Sequence, residues 1–227
     1  MTVNPALYQK LAYDPLRDFA PVGLLATGVY ILVVHPSLPV RSVKDLVALA
    51  KAKPGELNYS SSGNGGAGHL AGALFSTTMG MDVVHVPYKG IPAAIVSVLT
   101  GETQFAIGST ASVMPHINSG RLRALAVTST KRSAFVPKLP SMSEAGVPKY
   151  ETTAWYGILA PAQTPRAVIT KLNGELIKTF HLPEIKAALA RESFEVETST
   201  PEQFGALLRT ELEKWAEVVK QTRMRVD

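Results

Sequence analysis

The chain has 227 residues, of which 46% are hydrophobic and 18% charged, with a formal charge of +5 and no cysteine. That length allows a full core and room for two domains, while the missing cysteine excludes disulfides, thiolate metal sites and a cysteine nucleophile. The basic residues are scattered, without a run of five and without interleaved aromatics, which argues against nucleic acid, and no segment nears the roughly 18 apolar residues of a membrane span.

The first five residues, Met1-Thr2-Val3-Asn4-Pro5, have neither a basic nor an apolar export region, so no export signal is expected in the chain as written. Residues 4–21 hold Leu7, Tyr8, Leu11 and Phe19 without a sheet of their own. The apolar tract 22–34, broken by Gly23, Thr27 and Gly28, reads as strand, and its strand-like run proper covers 30–35. Further strand-like runs follow at 57–61, 83–87, 104–108 and 122–128. Between them, Ser42 is placed to cap a helix with Val43, Leu46, Val47 and Ala50 on one face, and helical periods cover 69–79, 91–99 and 112–118. Short apolar runs separated by helices imply parallel strands in right-handed crossovers, a doubly wound α/β lobe.

The C-terminal third reads differently. A strand at 155–160 ends in Pro161, and Thr164-Pro165 opens a helix with Val168, Leu172, Leu176 and Ile177 on one side. Leu182-Pro183 starts a short helix, and Thr200-Pro201-Glu202-Gln203 has the capping-box pattern before Phe204, Leu207, Leu208, Trp215, Val218 and Val219. These apolar faces exceed the strand material near them. A second small sheet is therefore expected to lie partly outside this chain, with its partner elements at both ends.

Three strand-to-helix loops carry the chemistry. The first, 61–67, offers Ser61, Gly63, Asn64, Gly65, Gly66 and Ala67; the second offers Tyr88, Lys89 and Gly90; the third offers Gly108 and Ser109. In an open parallel sheet such loops gather at the carboxyl ends of the strands, where ligands bind. Glycines and hydroxyls at the start of helices suit an anion held by backbone N–H groups, either carboxylate or phosphate. The plainer alternative is that the glycines only make tight turns.

Catalytic options are thin. No Gly-Lys-Ser/Thr closes the first loop, and no Gly-x-Ser-x-Gly elbow is present. His69, one turn into its helix, could partner a serine but reads better as a capping or packing residue, and His85 reads as structural. His35 and His116, each beside a proline, read as turn residues, and Trp155 and Tyr156 as packing. No histidine pair has metal-ligand spacing, no acid–base pair is visible in the loops, and no cofactor is expected.

The ordered motifs carry a resemblance. Asn4-Pro5-Ala6-Leu7-Tyr8, Asp18-Phe19-Ala20-Pro21-Val22, Leu57-Asn58-Tyr59-Ser60-Ser61, His85-Val86-Pro87-Tyr88-Lys89-Gly90, Gly120-Arg121-Leu122-Arg123-Ala124-Leu125 and Trp155-Tyr156-Gly157 lie along essentially the whole chain. Together they resemble the Bug family, the extracytoplasmic solute receptors of tripartite tricarboxylate transporters. The resemblance implies a type II periplasmic-binding-protein fold, α/β throughout, with two lobes closing over a small carboxylate. Here it implies one complete doubly wound lobe at 36–154, a remnant of the first lobe and hinge strand at 1–35, and a return strand with C-terminal helices of the first lobe at 155–227. The three loops above would form the second lobe's share of the ligand site. The family's N-terminal part, with its export signal and opposing loop, has no counterpart in this sequence, so a shortened form with impaired binding is expected. Gly66, Ala67 and Gly108 also replace polar residues common in the family, which leaves backbone contacts as the main means of holding a ligand.

The resemblance thus implies a non-catalytic periplasmic receptor that captures a small carboxylate for membrane transporter subunits. Exposed helix faces would favour self-association. Two alternatives are a ligand-sensing effector domain and, less favoured, a hydrolase using Ser61 and His69.

Overall fold

Sixteen residues, Phe19–Val34, form a single strand, β1. In this computed structural model, which describes residues 1–8, 10–222 and 224, β1 is shared by two compact units. One comprises Met1–Gly28 with Ala154–Asp227, and the other Val29–Thr153.

In the central unit, the stretch Tyr30–Val34 is an unbroken apolar run because both of its faces are covered. Leu32 and Val34 pack with Val43, Leu46 and Ala50 of α2 (Val43–Ala52) and with Phe75 of α3 (Ala67–Met79). Ile31 and Val33 pack on the other face with Ile95 and Val98 of α4 (Ile91–Leu99) and Val113 of α5 (Thr110–Asn118). The sheet between these layers has the order β3-β2-β4-β1-β5, with β2 at Asn58–Ser61, β3 at Val84–Pro87, β4 at Phe105–Ser109 and β5 at Arg123–Val127.

β2 pairs in parallel with β3 and with β4, as the alternation of strands and helices predicts. β1 does not follow that rule. It runs antiparallel to both β4 and β5, with Tyr30 opposite Ser109 and Ile31 opposite Val127. The βαβ rule fixes direction only for strands joined by a crossover within one sheet, and β1 enters this unit from the other one. Pro115 and His116 lie inside α5 rather than in a turn.

The flanking unit contains α1 (Asn4–Leu7), the first part of β1, β6 (Thr153–Pro161), α6 (Arg166–Phe180), α7 (Pro183–Arg191), β7 (Phe194–Val196) and α8 (Pro201–Thr222). β6 and β7 both pair with β1, the latter antiparallel with Ala26 opposite Val196. Residues 19–21 therefore do have a sheet, contrary to the expectation from sequence. Asn173 on α6 is buried and donates to the carbonyls of Val22 (2.8 Å) and Ser199 (2.9 Å). The Glu211 carboxylate accepts from the indole N–H groups of Trp215 (2.8 Å) and Trp155 (3.4 Å) and pairs with Lys214, which partners an otherwise buried charge. Among the described residues no helix is long and apolar enough to cross a membrane.

Candidate functional site

The carboxyl ends of β2, β3 and β4 lie along one edge of the central sheet, and α3, α4 and α5 begin just beyond them. Their N-cap residues, Gly66, Gly90 and Ser109, make no side-chain cap bond. First-turn N–H groups of three helices thus come to one edge without side-chain acceptors. Each such terminus carries partial positive charge, and no aspartate or glutamate occurs in the loops 61–67, 87–90 or 108–111.

The 61–67 loop is more internally bonded than its composition suggests. Gly63 N–H donates to Ser61 Oγ (3.2 Å), Gly65 N–H to His69 Nδ1 (3.1 Å) and Gly66 N–H to Gly63 O (3.2 Å). Among the described residues, the N–H groups of Asn64, Ala67 and Gly68 meet no protein acceptor. Gly65 has φ of 71°, a left-handed conformation that suits glycine. At Gly68 a Cβ would stand 2.9 Å from the Ile107 carbonyl, so the absent side chain lets α3 start tight against β4.

Below the loop sits a ring cluster. His69 and His85 are stacked, with centroids 3.6 Å apart and planes at 6°, and Tyr59 lies 5.0 Å from His85. His85 Nε2 is 2.7 Å from Ser61 Oγ. The serine–histidine contact is therefore made by His85, not by His69, whose Nδ1 is occupied by the Gly65 N–H. Ser61 is 3% exposed and its Oγ is also within 3.0 Å of Gly63 O. No carboxylate orients His85 among its described contacts, so the arrangement lacks the third group that activates a nucleophile. Burial pushes both imidazoles down to about 4, and the neighbouring His69 adds to the effect on His85.

The second loop is laced to the first: Tyr88 N–H donates to Ser61 O (2.9 Å) and Gly90 N–H to Ser62 O (3.4 Å). Lys89 is exposed there. The Tyr88 hydroxyl is buried beside Ser97 and Glu102 without a well-formed hydrogen bond. In the third loop, Gly108 is buried within β4, where a Cβ would meet Val113 at 2.6 Å, so the missing side chain lets α5 pack against β4. Ser109 pairs with Tyr30 and its Oγ donates to Ser112 Oγ (3.0 Å). Thr110, in the third loop, and Thr128, given no site role from sequence, tie the same edge: Thr110 Oγ1 donates to Val29 O (2.9 Å) and Thr128 Oγ1 accepts from Tyr30 N–H (3.0 Å). Their signal was a threonine at each strand end. Among the described residues no group of three or more His, Asp or Glu could hold a metal ion.

A parallel-strand edge rich in helix N-termini and free of acids fits the anion-binding lobe of a solute receptor, and residues 1–224 match the model of the tripartite tricarboxylate transporter family receptor. The chain belongs to that family. Protein BugT of Bordetella pertussis is 32% identical over 98% of this chain and 68% of its own length. Among solved structures, R. palustris Rpa4515 with adipate superposes with a TM-score of 0.83 at 33% identity, covering 98% of this chain and 75% of that one. MatC from Rhodopseudomonas palustris with bound malate gives 0.78 at 25% identity, covering 96% and 75%. The Bug-type resemblance and the receptor fold read from the motifs both hold, and receptors of this family are solute-binding proteins.

Proposed function

We propose that this chain is a non-catalytic receptor that holds a small dicarboxylate on the loop edge of its central unit and hands it to a tripartite transporter outside the cytoplasm. One observation carries the reading: three helix N-termini meet at an acid-free edge with the Asn64, Ala67 and Gly68 N–H groups open. The bound adipate and malate of two structural neighbours supply the ligand class. Carboxylate is favoured over phosphate because no P-loop lysine closes the loop. Lys89 adds an exposed positive charge, while Ser61, Gly63, Gly65, Gly66, Gly90 and Ser109 shape the edge rather than lend side chains.

A carboxylate held on one edge stays half solvated, so we place the affinity of these 227 residues for adipate near millimolar, about −4 kcal/mol. Ligand-observed NMR at pH 7.5 with adipate, malate and a panel of other dicarboxylates checks this. Saturable binding is expected for at least one of them. No saturable binding by any overturns the receptor reading, and micromolar affinity overturns only the weak-binding part. Exposed Tyr156, Ile158, Val168 and Leu172 in the flanking unit favour association between copies, read as concentration-dependent sedimentation; a monomer at all concentrations refutes it.

A further inference from the structure

The stacked histidines remain unused by the receptor reading. They lie beneath its most exposed donors, and each is bonded to the loop that carries them. We propose that His69 and His85 are positioning residues for the ligand edge: a neutral stacked pair that fixes Gly65 and Ser61 so that Asn64, Ala67 and Gly68 face a carboxylate, and that frees the Gly65 turn when His69 takes a proton. The proposal rests on the receptor reading for its ligand, but not for its geometry.

The bonds dictate the protonation. His69 Nδ1 accepts the Gly65 N–H, so that nitrogen carries no proton. Ser61 Oγ accepts the Gly63 N–H and reaches Gly63 O, which leaves His85 Nε2–H to donate to Ser61. A proton on His69 Nδ1 would set one N–H against another and cost the Gly65 bond. A proton on either ring would place a charge against the face of its stacked partner at 3.6 Å. Two rings in the same small space, each tied to a different turn of one loop, act on it together.

Among the described residues, no acidic side chain of the elements that carry the pair would stabilise such a charge. The strands β2, β3 and β4, the helix α3 and the loop residues 62–66 contain no Asp, Glu, Lys or Arg. Tyr59, the other titratable side chain stacked here, is buried, and burial pushes its hydroxyl up, so it stays neutral. The Tyr150 hydroxyl, on the Ala71 carbonyl of α3, is likewise held neutral by burial. Lys89, on the adjoining loop, is exposed and adds no opposite charge. Burial then keeps both imidazoles neutral down to about pH 4.

The test is an NMR titration of the wild-type chain without ligand, from pH 7.5 to 3.5, following the histidine ring protons and the Gly63 and Gly65 amides. Both rings should titrate well below 6.5, and the Gly65 amide should shift with them. A Gly65 amide that ignores the titration, or rings that titrate near 6.5, overturns the pair's role whether or not any ligand binds. Adipate binding at pH 7.5 gives the second readout. His69→Leu, which removes the acceptor, should weaken adipate about tenfold, and His69→Asn, whose amide oxygen can take the Gly65 N–H, should recover to within about threefold of wild type. Equal affinity of His69→Leu and wild type overturns the proposal. Failure of wild type to bind any dicarboxylate overturns the receptor reading instead.

Discussion

The histidine pair sets a pH dependence that belongs to single residues. Both rings have folded values near 4, below the usual 6.5, so the folded state holds fewer protons than the unfolded chain between those limits. Their contribution to stability is fully present above pH 6.5 and is lost as pH falls through about 4. Each ring accounts for of order 3 kcal/mol of that change. Urea unfolding at steps from pH 7.5 to 4 should show the loss, and a His69→Asn/His85→Gln double variant should flatten it; a slope unchanged in the variant refutes the assignment. Gly68 makes a second residue-scale prediction. Gly68→Ala drives a methyl toward the Ile107 carbonyl at 2.9 Å, which should cost about 1–3 kcal/mol in chemical denaturation. A cost below about 0.5 kcal/mol would mean that the start of α3 yields easily.

At the scale of elements, the helix boundaries were legible because their signals are local. Ser42 accepts the Asp45 N–H (3.1 Å), and Thr200 and Gln203 exchange both bonds of a capping box (3.2 and 2.9 Å), as their spacing predicts. The three strand-to-helix loops were legible for the same reason, since each is a short turn between a strand and a helix. The full β1, its direction and β7 were not, because their partners lie far away in sequence: Phe194 pairs with Gly28, and Val34 with Phe105. Gly28 looks like a strand breaker in sequence, yet in the fold its bare Cα lies under the Phe194 ring, where a Cβ would come within 2.6 Å. The histidine stack was hidden too, for His69 sits on a helix and His85 on a strand sixteen residues later, and neither position signals the other. Asn173 shows the same long-range logic, joining α6 to β1 and to the segment before α8. Asn173→Ala leaves two carbonyls without their donor, and should destabilise the chain by about 2 kcal/mol in urea unfolding, whereas Thr200→Ala should cost about 1 kcal/mol. The reverse order would show that the buried amide bonds little.

Across the whole molecule, the two units differ in how their apolar surface is covered. In the central unit, both faces of β1 and β4 are packed, and Leu32, Val33, Val34 and Phe105 are fully buried. In the flanking unit α7 has no buried residue, and Tyr156, Ile158, Val168, Leu172 and Leu182 are exposed. Opening free energy follows buried apolar contact, because an element with little to lose opens without the rest of the fold. Hydrogen exchange should therefore rank the chain by unit. Amides of α7 should exchange at least about a hundredfold faster than those of β4 and of the Ile31–Val34 stretch, with α8 between them through its buried Phe204, Leu208 and Trp215. Mass spectrometry of peptides covering 183–191, 105–109 and 204–219 reads this ranking directly. Protection of α7 equal to that of β4 would mean that its exposed faces are covered in solution, as association between copies would cover them. Dilution would separate the two cases, since protection lent by a second copy falls with concentration whereas protection within one chain does not.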